Sequence, residues 1–313
     1  MKKFIFNFTG ILILITNSFI SIAQSFSIEI IIKNQPNNPI ILEKVEGDNF
    51  TPIDSAFAEK NLVRFTLPEN TNIGIYRLVF GQTTLAKVMN EAPQQLDFIF
   101  NNENIVFESD FNAPTNSLNI IQSLENKVWV GFLKMNNNLK QQLSELEKEV
   151  NYFWLKDDTN NAVQKATEYN QLQIKRDLFI TQMIKENEGL FATRLIKTFR
   201  EPMLDGYLTE LERQELFKKE YFKSVDFTDE TLIHSQAYTD KVFNYLVSYN
   251  QKGLTQEQRV QEYIKAVDVI LSNTNKNEKV YVFIQEYLIH GFEVLKLKSA
   301  IDYIRKNYSS TTE

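Results

Sequence analysis

The side chains that could do chemistry in this sequence are two histidines and forty carboxylates; cysteine is absent. Thiol redox chemistry, thiolate nucleophiles and cysteine-type zinc sites are therefore beyond these residues. His234 and His290 lie far apart and lack the i, i+4 spacing that sets a metal-binding pair on one helix face. His290 follows Leu288 and Ile289 in an apolar stretch and reads as a half-buried packing residue. His234 sits in the polar run Thr231 to Gln236 and reads as solvent-facing or capping. Asp157, Thr159, Asn161 and Glu168 fill the first, third, fifth and twelfth places of a calcium loop, but the sixth place, which needs glycine, is Ala162. A polar turn leading into a helix N-cap is expected there instead. No nucleophile elbow, phosphate loop or His-Glu-x-x-His motif occurs. No catalytic residue, metal ligand or cofactor is assigned, and the sequence points away from an enzyme.

One further constellation has the right residue types for binding. Tyr281, Phe283, Tyr287 and Phe292, with Tyr303 and Tyr308, form an aromatic stripe at helical spacing. Such stripes more often fill a core, but Tyr281, Tyr287 and Phe292 are also the residues expected to line a groove if one exists.

The elements that must carry these residues change character once along the chain. In the first part, Phe26, Ile28, Ile30 and Ile32 alternate with Ser27, Glu29, Ile31 and Lys33, the period of a half-buried strand. Further strand patterns cover 40–45, 62–67, 74–80, 95–100 and 105–108, with turn residues such as Glu46-Gly47-Asp48-Asn49 and Pro68-Glu69-Asn70 between them. Short strands at this spacing predict a sandwich-like domain over 24–114. Beyond Pro114 the period lengthens. Val128, Phe132, Met135, Leu139, Leu143, Leu146 and Val150 recur at steps of three and four, an amphipathic helix. Further helices are expected over 163–184, 191–199 (stopped by Pro202), from the capped start Thr209-Glu210-Leu211-Glu212, and over 238–249, 256–271 and 280–308. The fold class is thus α+β: an antiparallel, sandwich-like β domain, then an all-α domain over 115–308, and a disordered tail at 309–313.

The first residues read as an export signal. Lys2 and Lys3 precede the apolar run Ile11-Leu12-Ile13-Leu14-Ile15, and Ser21-Ile22-Ala23 supplies small residues for cleavage after Ala23. Polar Thr16, Asn17 and Ser18 interrupt the run, which is too short to span a bilayer comfortably, so no integral segment is expected after cleavage. Without residues 1–23 the chain carries 32 basic and 40 acidic side chains, a net charge of −8. An acidic surface repels phosphate backbones, so nucleic acid is not an expected partner. A periplasmic or otherwise extracytoplasmic location follows from the signal.

Several segments together resemble the region upstream of the thioredoxin domain in extracytoplasmic TlpA-like thiol-disulfide oxidoreductases. In the β part these are Pro52-Ile53-Asp54-Ser55-Ala56 with Val63-Arg64-Phe65, Gly74-Ile75-Tyr76-Arg77-Leu78 and Leu96-Asp97-Phe98-Ile99-Phe100. At the junction, Ser123-Leu124-Glu125-Asn126 is similar to that family's Ser-x-Glu-Asn start of its helical part. Further on, Phe179-Ile180 to Asn187, Phe191-Ala192 and Tyr221-Phe222-Lys223-Ser224-Val225-Asp226-Phe227 match in pattern. The departure is the thioredoxin domain itself, which would begin about where these residues end, together with its cysteine pair. The resemblance implies an auxiliary, non-catalytic part that docks a partner, a separate thioredoxin-like or other envelope protein. It also brings Ser55 into view, because Asp54-Ser55-Ala56 fits the acidic–hydroxyl–apolar pattern that some bacteria O-glycosylate on exported proteins. The alternative function is a small-ligand protein for a peptide, glycan or metabolite, with its pocket where the two domains meet. A two-carboxylate hydrolase is the least favoured reading.

Overall fold

The computed structural model describes residues 25–308, so the expected signal peptide and the tail at 309–313 lie outside the described residues. Strands come first and helices after, and the fold is α+β. One sheet orders β4 (Leu62–Pro68), β1 (Ser25–Lys33), β7 (Ile105–Asp110) and β8 (Asn119–Gln122). The other orders β3 (Asn49–Ala56), β2 (Ile40–Glu46), β5 (Gly74–Val79) and β6 (Gln95–Phe100). Neighbours are antiparallel except β1 and β7, which run parallel.

The strand alternation read from the sequence becomes the sandwich core. Ile28, Ile30 and Ile32 of β1 meet Leu42, Tyr76, Leu78, Phe98 and Phe100 of the facing sheet, all buried. At roughly 1.5–3 kcal/mol for each large apolar side chain buried, this layer outweighs any local propensity in setting register. In β5 both faces are covered, since Ile75 joins Val45 and Ile99 in the helical core while Tyr76 and Leu78 face the sandwich. The helical part therefore packs on the outer face of the second sheet.

That part begins with a hairpin of α2 (Leu124–Leu155) and α3 (Thr159–Glu186), followed by α4 (Phe191–Thr198) and α5 (Glu210–Glu220). A 3-10 turn at Glu230–His234 leads into α6 (Ala237–Val247), α7 (Gln256–Thr274), α8 (Glu278–Val294) and α9 (Lys298–Asn307). A five-residue helix, α1 (Thr84–Val88), sits in the loop between β5 and β6. Asp158 caps α3 by accepting from the Asn161 amide, and Thr209 forms the expected capping box with Glu212.

Two boundaries differ from expectation. The helical domain was expected from 115, but Asn119–Gln122 pairs with β7 and extends the sheet part to Gln122. The single helix expected over 280–308 is two, broken without glycine or proline. Lys296 takes φ of 57°. Its amide donates to the Glu293 carbonyl at 3.0 Å, and that of Leu297 to the Phe292 carbonyl at 2.9 Å. This is a Schellman ending, closed by buried Leu297 against buried Phe292. A lysine in the left-handed region bears a steric cost that glycine does not. Lys296→Gly is accordingly expected to stabilise the protein by roughly 0.5–1 kcal/mol, read as a raised urea midpoint at unchanged m-value.

Three positions of one four-residue segment join the parts. Ser123 caps α2, accepting from the Asn126 amide at 3.0 Å. The Asn126 side chain behaves like one more residue of sheet alongside β6: it accepts from the Ile99 amide and donates to the Ile99 carbonyl, each at 2.8 Å. Glu125, 2% exposed, accepts from the backbone amides of Phe191 at 2.9 Å and Ala192 at 2.7 Å. The Ser-x-Glu-Asn segment is thus a structural joint.

Candidate functional site

The β2–β3 hairpin turn enters the helical part and sets the geometry of the junction. Gly47 has φ of +58°, and its amide is 3.1 Å from the Ser235 carbonyl and 3.2 Å from that of Ile233. A Cβ there would come within 2.7 Å of both Phe283 Cζ and Thr239 Cγ2, so only glycine lets the turn seat. Gly74 permits a second close approach, because a Cβ would lie 2.5 Å from the His234 carbonyl oxygen. His234 is half-buried in this interface with Nδ1 3.3 Å from Glu46 Oε1, which corrects the expectation of a solvent-facing or capping residue. Burial pushes its pKa down, against the pull of Glu46.

Beside the seated turn lies a groove of about 610 Å³ between the hairpin, α6 and α8. Buried Tyr263, Leu288 and Phe292 form its floor. Phe243 and Val247 of α6 and Val294 and Leu295 at the end of α8 line it while remaining 56%, 50%, 68% and 56% exposed. Four large apolar side chains thus stand half open around one concavity. Glu46, Asp48 and Asn49 of the turn and Glu286 of α8 supply its polar groups. Asp48 accepts from the Thr239 hydroxyl at 3.1 Å and pairs with the Tyr287 phenol. Burial, then the Asp48 charge, raises the Tyr287 pKa, so the phenol stays neutral.

The aromatic stripe divides between two tasks. Tyr287 and Phe292 line the groove, together with Phe283. Tyr281 does not: its hydroxyl donates to the Tyr308 carbonyl at 3.2 Å, while Tyr303 and Tyr308 donate to Asp268 at 2.8 and 2.6 Å. Those three tyrosines lock the C-terminal helices together. The groove-facing stripe on α8 is Phe283, Tyr287, His290 or Gly291, and Val294, spaced i, i+4, i+7/8, i+11. It is distinct from Val280 and Ile284, which face the core without lining the groove. His290, expected as a packing residue, is exposed on the groove wall. Gly291 gives the groove width, since a Cβ there would meet nothing within 4 Å.

The other expected positions fall elsewhere. Ser55 is exposed on β3, an edge strand, with its amide donating to Asp54 Oδ1 at 2.7 Å. Asp157 has φ of 57° in a turn, and Glu168 accepts from Gln164 and Lys165 at 3.0 Å each, so the calcium-loop residues are spent on a turn, a cap and helix-surface pairs. Among the described residues no group of three His, Asp or Glu could hold a metal ion. None of their helices is long and apolar enough to cross a membrane.

Two further features were not legible in the sequence. A second cavity of about 780 Å³ at the junction is lined by Asp97, Trp129, Asn137, Phe199 and Asp240 among others. Its Asp97 is held in a two-bond pair with Arg77, at 2.6 and 2.8 Å, across the register of β5 and β6. A buried cation cluster lies near the α2–α3 hairpin. Arg176 donates to Asn136, Glu201 and the Phe199 carbonyl at 2.8–2.9 Å. Lys241, 6% exposed, donates to the Arg200 carbonyl at 2.8 Å and lies 4.6 Å from the Tyr221 ring centre. Burial opposes ionisation of Glu201, but Arg176, Lys140 and Lys241 outweigh it and hold that carboxyl below its usual range. No family model, curated protein or solved structure matches this chain.

Proposed function

We propose that this is an exported, non-catalytic binding protein whose site is the groove between the β2–β3 turn, α6 and α8. The observation that carries the reading is the set of half-open apolar residues Phe243, Val247, Val294 and Leu295 around a concavity built by both parts of the chain. The groove's size lies within the roughly 300–1,000 Å³ typical of ligand sites. Its acidic groups are already engaged at two positions: Glu46 pairs with Lys44 at 2.9 Å, and Asp48 is held by Thr239 and Tyr287. Such fixed groups suit recognition better than the paired, mobile protons of a carboxylate hydrolase. The resemblance to the auxiliary region of TlpA-like oxidoreductases supplies the partner class, a thioredoxin-like or other envelope protein.

The test uses a neutral fluorescent dye, N-phenyl-1-naphthylamine, as a probe of apolar sites. Its emission is expected to rise on mixing with the wild-type protein. Gly291→Leu fills the groove from a helical position with open space around it, and leucine is the better helix former by roughly 1 kcal/mol. That variant is expected to keep or raise Tm and to lose the dye signal. Equal dye binding by both proteins would count against the groove.

A further inference from the structure

The ionic side chains that line the groove are carboxylates; the inference rests on the reading of the groove as a binding site. Glu46, Asp48 and Glu286 line it, and among the described residues no lysine or arginine does. Glu46 is neutralised by Lys44, 2.9 Å away. The partners of Asp48 are neutral hydroxyls, those of Thr239 and Tyr287. Glu286 is exposed on α8, one helical turn before His290. Asp240, next to Thr239 in α6, feels the same field: burial first and then the Asp48 charge hold its carboxyl above the usual range. Among the described residues, two carboxylates thus stand beside an apolar surface with no lysine or arginine lining it to meet them.

We propose that the groove takes an apolar peptide segment carrying a lysine or arginine beside its apolar residues. The apolar side chains seat against Phe243, Val247 and Val294, and the cation reaches Asp48 and Glu286. Helical walls presenting apolar groups four residues apart suit several anchors along a peptide, and the acidic edge fixes its direction. A partner with acidic residues at that place meets like charge and is rejected.

Two short synthetic peptides with the same leucine and phenylalanine positions test this, one bearing two lysines and the other two glutamates at the same places. Binding to the wild-type protein is measured by calorimetry at low and raised salt. The lysine peptide is expected to bind, more weakly as salt is raised. The glutamate peptide, and the lysine peptide with the Asp48→Asn, Glu286→Gln double variant, are each expected to bind roughly tenfold more weakly, the size of two surface charge pairs together. Equal binding of the two peptides, or an unchanged Kd in the double variant, overturns the inference while leaving the groove as a site. Binding of neither peptide, with the neutral dye still bound and displaced by Gly291→Leu, also overturns it and points to a small neutral ligand. Failure of the dye experiment itself is the separate failure of the groove.

Discussion

Glu125→Ala is expected to lower the free energy of unfolding by about 3 kcal/mol, through a helix the substituted residue does not belong to. The N-cap of α4 is Leu190, which makes no side-chain cap bond. Two of the amides that a capping side chain would normally satisfy, those of Phe191 and Ala192, instead donate to the two carboxylate oxygens of Glu125 from α2. Phe191 and Ala192 are 2% and 0% exposed, so water cannot replace the lost acceptor. Each buried donor left unmade costs about 1–3 kcal/mol, and the favourable placement of a negative charge at a helix N-terminus is lost as well. For a chain of this size the loss corresponds to a fall in Tm of about 5 °C. Glu125→Gln keeps one acceptor but presents an amide donor to the second N–H, and is expected to recover less than half of the loss. Thermal and urea unfolding of the two variants measure this; a change of under about 0.5 kcal/mol in Glu125→Ala would mean the joint between α2 and α4 contributes little.

The second large effect is a pH dependence centred on Lys241. Burial lowers its pKa from 10.5 to about 8, with Glu201 opposing the shift. The folded value lies below the unfolded one, so between them the unfolded chain binds more protons. The penalty for holding the buried ammonium is therefore full below pH 8 and is relieved as pH rises toward 10.5. A shift of this size corresponds to about 3 kcal/mol. The buried tyrosines act oppositely: Tyr221, Tyr238 and Tyr245 are raised above 10.0 by burial, so they cost stability once unfolded tyrosines ionise above that pH. Comparison with Lys241→Met cancels that term. The stability of the wild type minus that of the variant is expected to rise by about 3 kcal/mol between pH 7.5 and 10.5. Urea titrations of both proteins across that range give the difference, and a flat line would show that the ammonium is not desolvated as its surroundings imply.

What the sequence disclosed follows from how locally each feature is encoded. The β1 alternation of four isoleucine or phenylalanine positions is visible in nine residues, and the sandwich core uses the same side chains. The Thr209 capping box and the Pro202 stop are likewise local. β3 escaped notice because it is an edge strand: its burial hardly alternates, and Pro52 breaks its appearance. β8 has only four residues and exists because β7 offers it a partner. The break at Lys296 carries no glycine or proline and is set by the fit of Leu297 onto Phe292. At the site, Tyr287 and Phe292 were named as groove residues from the aromatic stripe on α8, and they line it. Tyr281 was named with them but binds the Tyr308 carbonyl, because one stripe held residues of two helix faces. Separating Phe283, Tyr287, His290 and Val294 from Val280 and Ile284 by helical angle is the signal that would have found the exposed wall of the groove. Phe243 and Val247, four residues apart on α6, could be paired with that face only by tertiary packing. The hairpin turn residues Glu46 to Asn49 were legible as a turn, and their place in the groove was not.

The most direct measurement is an amide NMR titration of the wild-type protein with N-phenyl-1-naphthylamine, reporting where the probe sits as well as whether it binds. The expected result is a set of shifted resonances confined to Asp48 and Asn49, to α6 around Phe243 and Val247, and to α8 from Tyr287 to Leu295. Shifts clustered instead around Trp129, Asn137 and Asp240 in the second cavity, or none at saturating dye, would contradict the account.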